Sequence, residues 1–304
     1  MNPAFDAEVV TPLPHGVSLC HVWHGAPQHP VVVLIAGLGL QWCSWPPELI
    51  QGLVDRGFRV LCLDNRDVGR SSRLDTPHPS RWQQLKRQAP EGAYSLDDMA
   101  DDVHHLLQHL SVQAAHVVGM SMGGMIAQQL AARHPSQVLS LTSIFSNTGH
   151  PRHGQPAFSS LWRMARTRAP RTEAQAVANF SAMMEHIGDA SAPGARQRWA
   201  EYAARAWHRS GQRVDARAFF RQLGAVMKSG NRTRGLSRIT APTLVVHGDV
   251  DRMVHPSGGM ATAKAIAGAQ LHIIPGMRHQ IDGLQAQRLL TLLVPHLQQA
   301  GGAA

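Results

Sequence analysis

The chain of 304 residues has no hydrophobic run long enough to span a bilayer. Its longest, VVVLIAGLGL, is short and interrupted by glycines, which excludes a transmembrane helix there. The opening residues, MNPAFDAEVV, show no basic segment followed by an apolar one. No secretory signal is expected, and the reading is a soluble protein retained in the cytoplasm. Cysteine is scarce: Cys20, Cys43 and Cys62 cannot all pair within one chain, and two of them lie in apolar, strand-like runs where a reduced thiol packs as a small hydrophobe. No disulfide framework is implied. No fixed-period repeat occurs, which argues against a solenoid or propeller.

Acidic residues are the minority, 20 against 29 Lys and Arg, for a net charge of +9. The imbalance is local. Residues 150–238 hold 16 Lys and Arg against 5 Asp and Glu, while the rest of the chain holds 13 against 15. That segment lacks an RNA-binding glycine motif, a zinc-finger spacing and any aromatic–basic repeat, so nucleic acid is not an expected partner. Scattered arginines most often solvate a helix surface; attraction of an anionic substrate or surface is the weaker functional reading.

What is present is alternation. After a hairpin formed by EVV and VSLCHVWH, strand-like apolar runs alternate with helical stretches: PVVVLIAG, PPELIQGLVDRG, FRVLCLDN, a helix opened by Ser95 as N-cap, AHVVGM, MGGMIAQQLAARHP and VLSLTSIFSN. This order predicts an α/β protein with a mostly parallel central sheet flanked by helices. From about 150 the strands stop and helix-compatible stretches take over, with Met183, Met184, Trp199, Trp207, Phe219 and Phe220 among them. Alternation resumes with PTLVVHGD, AQLHIIPG and a last amphipathic helix. The expected organisation is a core of residues 1–149 and 237–304 with a helical, Arg-rich cap, 150–236, inserted after the sixth strand.

The sequence Gly119-Met120-Ser121-Met122-Gly123 lies where a strand passes into a helix. In that context a G-x-S-x-G pattern supports a tight turn carrying a nucleophile, and the helix N-terminus directs N–H groups toward a developing oxyanion. A glycine-eased turn is the bland alternative. A serine hydroxyl needs a base and an orienting carboxylate. Later strand-like runs end in Gly248-Asp249-Val250-Asp251-Arg252 and Gly276-Met277-Arg278-His279, so His279 is the candidate base, and Asp249 and Asp251 both stand within reach as the acid. The order Ser, Asp, His suits this arrangement.

WPPELIQGLVDRGFRVLCLDNRDVGRSS, HVVGMSMGG, PTLVVHGDVDRMVHP and IPGMRH together make the chain similar to the α/β-hydrolase family over nearly its whole length, and within it to the esterase branch that includes the aclacinomycin methylesterases. The resemblance implies the α/β-hydrolase fold and selects Asp251, at the end of a G-x-x-D turn, leaving Asp249 as a turn residue. It implies an oxyanion hole from the backbone N–H groups of Met122 and Leu38, although Ala36-Gly37 replaces the His-Gly that opens this loop in many relatives. Arg278 stands where relatives usually have a small residue, and is expected to point outward. Asp64, Arg66 and Asp67 are expected to form a structural polar network.

The function expected is hydrolysis of a small-molecule ester, apolar or anionic, through an acyl-enzyme and without a cofactor. C–C bond hydrolysis, lactone opening and perhydrolysis by the same residues are the rivals, together with a non-enzymatic binding protein on the same fold. Other motifs are weaker. His105 and His109 have helical i, i+4 spacing but no evident third metal ligand. Cys43 reads as packing, and the GLGL run lacks the third glycine of a dinucleotide fingerprint.

Overall fold

In the computed structural model, which describes residues 7–212 and 215–301, the apolar, strand-like runs pair into one 8-stranded sheet. An antiparallel hairpin, β1 (Val9–Pro12) and β2 (Ser18–His24), forms one edge. The chain then alternates through β3 (Val31–Ile35), α1 (Pro47–Val54) and β4 (Arg59–Leu63). A short helix, α2 (Arg81–Leu85), precedes α3 (Leu96–His109), whose N-cap Ser95 closes a capping box with Asp98. β5 (Ala115–Met120), α4 (Met122–Arg133) and β6 (Val138–Ile144) complete the first part of the core.

After this sixth strand come only helices: α5 (Phe158–Arg166), α6 (Glu173–Ile187), α7 (Ala195–Arg209), α8 (Ala216–Ser229) and α9 (Thr233–Leu236). The chain returns to the sheet as β7 (Thr243–Gly248), α10 (Ser257–Ala265), β8 (Gln270–Ile274) and α11 (Gly283–Gly301). The strand order is β1-β2-β4-β3-β5-β6-β7-β8, and every pairing from β4 to β8 is parallel. Parallel pairing follows from the helix between successive strands, which carries the chain back to the starting end of the sheet.

Alternate residues of each central strand feed two cores. Val33 and Ile35 join α3 and α4 on one face; Val32 and Leu34 join α1 and α11 on the other. All four are fully buried, as parallel strands covered on both faces require. The three cysteines are free and buried, and burial pushes the Cys43 thiol up to about 11, so it packs as a neutral group.

The arginine-rich segment is fastened to the sheet by two of its own arginines. Arg209, at the end of α7, bonds Asp64 at 3.0 Å and Glu8 at 2.8 Å, and also meets Gln41 Oε1. Burial by itself would weaken its charge; Glu8 and Asp64 outweigh that and hold the guanidinium above its ordinary range. Arg221, on α8, makes a two-pronged bond to Asp67 at 2.6 and 2.9 Å and a third to Asp215. Arg66 turns elsewhere, to Asp102 at 2.5 and 2.7 Å.

Asp64, Arg66 and Asp67 are structural, as expected: each anchors an ion pair, and Tyr94 links two of them, its hydroxyl donating to Asp67 at 2.9 Å and its ring lying 4.9 Å from the Arg66 guanidinium. Side chains on one tight turn diverge, and each finds a partner far away in sequence. Replacing Arg209 with methionine is expected to cost about 3–5 kcal/mol in urea unfolding, because Asp64, with no exposed side-chain surface, loses its countercharge. Adding Asp64→Asn should recover part of that loss; no recovery would show the pair contributes little.

Candidate active site

β5 ends at Met120, and Ser121 turns the chain directly into α4 with φ 55° and ψ −121°. A non-glycine residue held at positive φ stores about 1–3 kcal/mol of strain and persists only where its surroundings enforce it. Here the flanking glycines allow the enforcing contacts. A Cβ on Gly119 would lie 2.2 Å from the Gly123 carbonyl oxygen, and one on Gly123 would lie 2.0 Å from that of Ile35. Both positions are closed to any other residue, which accounts for the spacing of G-x-S-x-G in this chain. Gly123→Ala is expected to cost about 3 kcal/mol or more in denaturant unfolding, since backbone of β3 must move to admit the methyl group. A loss below about 1 kcal/mol would show that the turn is looser than its geometry.

The parallel sheet brings the other two candidates to the same end. β7 stops at Gly248 and β8 at Ile274, and the loops that follow carry Asp251 and His279. His279 Nε2 lies 3.0 Å from Ser121 Oγ, and its Nδ1 lies 2.7 Å from Asp251 Oδ2. The second Asp251 oxygen accepts the Met253 and Val254 N–H groups at 2.7 and 2.9 Å. Burial would raise this carboxyl, yet His279, His247 and the Val254 amide together hold it well below the usual carboxylate range. It is therefore ionised, and fixed to accept the Nδ1 proton of His279. Phe145, at φ 35°, backs the imidazole with ring centroids 4.5 Å apart.

Asp249 lies apart from this chain of hydrogen bonds. It is exposed, and its Oδ1 accepts the Gly276 N–H at 2.7 Å, tying the loop after β7 to the turn after β8. Met122 is the first residue of α4, a position where helix geometry leaves the backbone N–H without an intrahelical acceptor. The Ala36–Gly39 loop runs beside it: a Cβ on Gly37 would lie 3.3 Å from Ser121 Cβ. Leu38 is half-buried in that loop.

The helical segment holds these loops from the other side. Gln222 on α8 accepts the Gly39 N–H at 2.8 Å and donates to the Arg66 carbonyl, while the hydroxyl of the half-buried Tyr202 on α7 accepts the Gln41 N–H. The last carbonyl of α6, Ile187, accepts the His279 N–H at 3.0 Å. None of Gln222, Tyr202 or Ile187 was legible as a site residue, because a polar group on a helix shows no partner until the helix is docked. Trp199 and Trp207 pack inward and are buried, whereas Phe219 lies against Gly39 at the loop. Arg278 is half-exposed beside the end of α6; the Ser191 hydrogen bonds, with a smaller contribution from the Arg278 charge, hold Asp189 below its ordinary range.

The metal reading of the α3 histidines finds no support in geometry. His105 faces Gln108 and the His104 ring, and among the described residues no three metal-ligating side chains cluster. Also among the described residues, no helix is long and apolar enough to cross a membrane.

A mostly parallel eight-stranded sheet with a serine at a strained strand-to-helix turn is the architecture of a hydrolase. The chain belongs to the alpha/beta hydrolase fold family, whose model matches residues 30–281. It is similar to rhodomycin D methylesterase DnrP of Streptomyces peucetius, 28% identical over 303 residues, with 91% of this chain and 93% of that one covered. Among solved structures it resembles a hydrolase from Pseudomonas aeruginosa PA01, with TM-score 0.71, 25% identity and coverage of 95% and 98%. It also resembles the enol-lactonase from Burkholderia xenovorans LB400, with TM-score 0.74, 22% identity and coverage of 95% and 100%; that likeness speaks to fold alone.

Proposed function

We propose that the protein cleaves a carboxylic ester of a small molecule through an acyl-enzyme, with Ser121 as nucleophile, His279 as general base and acid, and Asp251 as the orienting carboxylate. The observation that carries this reading is the unbroken hydrogen-bonded line from Ser121 Oγ through His279 to the buried Asp251. His279 Nε2 takes the hydroxyl proton as Oγ attacks the carbonyl carbon. The tetrahedral oxyanion is stabilised by the Met122 and Leu38 N–H groups, and the alcohol leaves with the proton from Nε2. Water, activated by the same nitrogen, then releases the acid. The scheme requires no cofactor.

Residues 150–236 act as a cap over the strand ends, since α6, α7 and α8 each bond a loop of the site. Phe219 beside the Leu38 loop makes one wall apolar, which suits an apolar acyl or alcohol group. The methylesterase relative favours an ester over the rival bonds. A fluorophosphonate probe tests the reading, together with a panel of p-nitrophenyl esters, lactones and ring-cleavage diketones. Labelling at Ser121 with turnover of short esters is expected. Turnover of the lactones or diketones alone would replace the ester assignment with a rival bond. Folded protein that neither labels nor turns over any substrate would overturn the enzyme reading.

A further inference from the structure

Helix α5 faces the wrong way for a core helix. Phe158, Leu161, Trp162 and Ala165 follow the i, i+3, i+4, i+7 spacing that normally faces a protein interior. All four are exposed, the three large ones at 81%, 42% and 53%. The one buried residue of α5 is a serine. Ser160 is fully buried, its hydroxyl donates to the Arg252 carbonyl at 2.9 Å, and it lies 3.1 Å from His186 Nε2.

Charge around the stripe has one sign. Residues 150–172 contain five arginines, Arg152, Arg163, Arg166, Arg168 and Arg171, and no aspartate or glutamate. All five are exposed, and the ion pairs of the described residues use none of them. Arg166 stacks over the Trp162 ring at 4.9 Å. Beside the stripe, between α5 and α6, an open groove of about 720 Å³ is lined by Trp162, Arg163, Arg166, Arg168, Met183 and His186.

We propose that α5 is an interfacial helix that docks the protein on an anionic lipid bilayer, with Phe158, Leu161 and Trp162 entering the acyl boundary and the arginines engaging headgroup phosphates. A tryptophan, a phenylalanine and a leucine on one face with arginines beside them is the composition that lies in a membrane interface. A second copy of this chain fits poorly, because face-to-face pairing would oppose five arginines with five and supply no acid. Anionic headgroups complement that charge and the acyl boundary complements the stripe. The buried Ser160 grips the carbonyl of the residue after Asp251, so the docking helix is braced on the loop that carries the candidate acid.

The test uses the full chain and co-sedimentation with vesicles of phosphatidylcholine alone or mixed with phosphatidylglycerol. Binding to the mixed vesicles is expected, with little to the neutral ones. The triple variants Phe158→Ser/Leu161→Ser/Trp162→Ser and Arg163→Gln/Arg166→Gln/Arg168→Gln should each lower the partition coefficient by about tenfold or more. A control, Trp82→Ser/Leu85→Ser, removes apolar surface from α2 that is 73% and 75% exposed and should leave binding unchanged. Melting curves and p-nitrophenyl butyrate turnover without vesicles establish that each variant is folded. Vesicle binding is read whether or not the ester-cleavage reading holds. The inference is overturned by absence of binding, by equal binding to neutral vesicles, by binding that both α5 variants retain, or by a dimer in light scattering that the apolar variant dissolves.

Discussion

Ser121→Ala is expected to lower turnover of a p-nitrophenyl ester by roughly 10⁶-fold while leaving the unfolding midpoint close to that of the wild type. The hydroxyl is the only group in the line that can form a covalent acyl intermediate, and its removal leaves His279 without a proton to take. Alanine fits the space of serine, and it too must tolerate the positive φ at this turn, so the strain is carried over unchanged. A residual rate above water is expected from the backbone donors at the head of α4, which the substitution does not touch. The measurement is kcat by stopped or continuous assay, alongside loss of fluorophosphonate labelling. A variant retaining a tenth of wild-type turnover would remove Ser121 from the mechanism.

The second large effect separates two aspartates that lie two positions apart. Asp251→Asn is expected to reduce kcat by about 10⁴-fold, because the amide can present its N–H₂ toward Nδ1 and so favour the tautomer with the proton on Nε2, where a base is needed. The loss should appear in kcat and kcat/KM together, as for an interaction realised in the transition state. Asp249→Asn should change turnover only a few-fold, since asparagine keeps an oxygen able to accept the Gly276 N–H and the residue has no contact with His279. The reverse result would transfer the orienting role to Asp249. Comparable large losses in both would point to collapse of the loop, which the melting temperatures of the two variants would reveal.

Much of this molecule can be read along the chain. Strands of four to seven residues follow from short apolar runs and the helices between them from a period of 3.6, and the Ser95 cap and the Pro46-Pro47 start appear where local chemistry places them. The helical stretch after the sixth strand is legible as an absence of strand runs. α5 and α8 were not singled out individually, although the spacing of Phe158, Leu161, Trp162 and Ala165 is already helical; what spacing cannot say is whether such a face is buried.

The candidate site was legible to a lesser degree. G-x-S-x-G draws attention to Ser121 because the two glycines have a local steric cause. His279, among 19 histidines, is found only by its position after a late strand. The acid needs the resemblance to a known pattern, as both aspartates occupy the same turn. The contacts of the helical segment with the site loops carry no sequence signal, for Gln222 and Tyr202 are ordinary helical residues until docking gives them partners.

By itself the sequence determined the order of strands and helices, the parallel sheet, the helical stretch after the sixth strand and the tight turn at Ser121. Each depends on neighbours within a few positions, or on a periodicity that survives any later packing. Only the tertiary structure decided that Arg209 reaches Asp64 across 145 positions and that α5 turns its apolar stripe to the outside. Periodicity identifies which residues share a face; which way that face points is set by what the rest of the chain places against it.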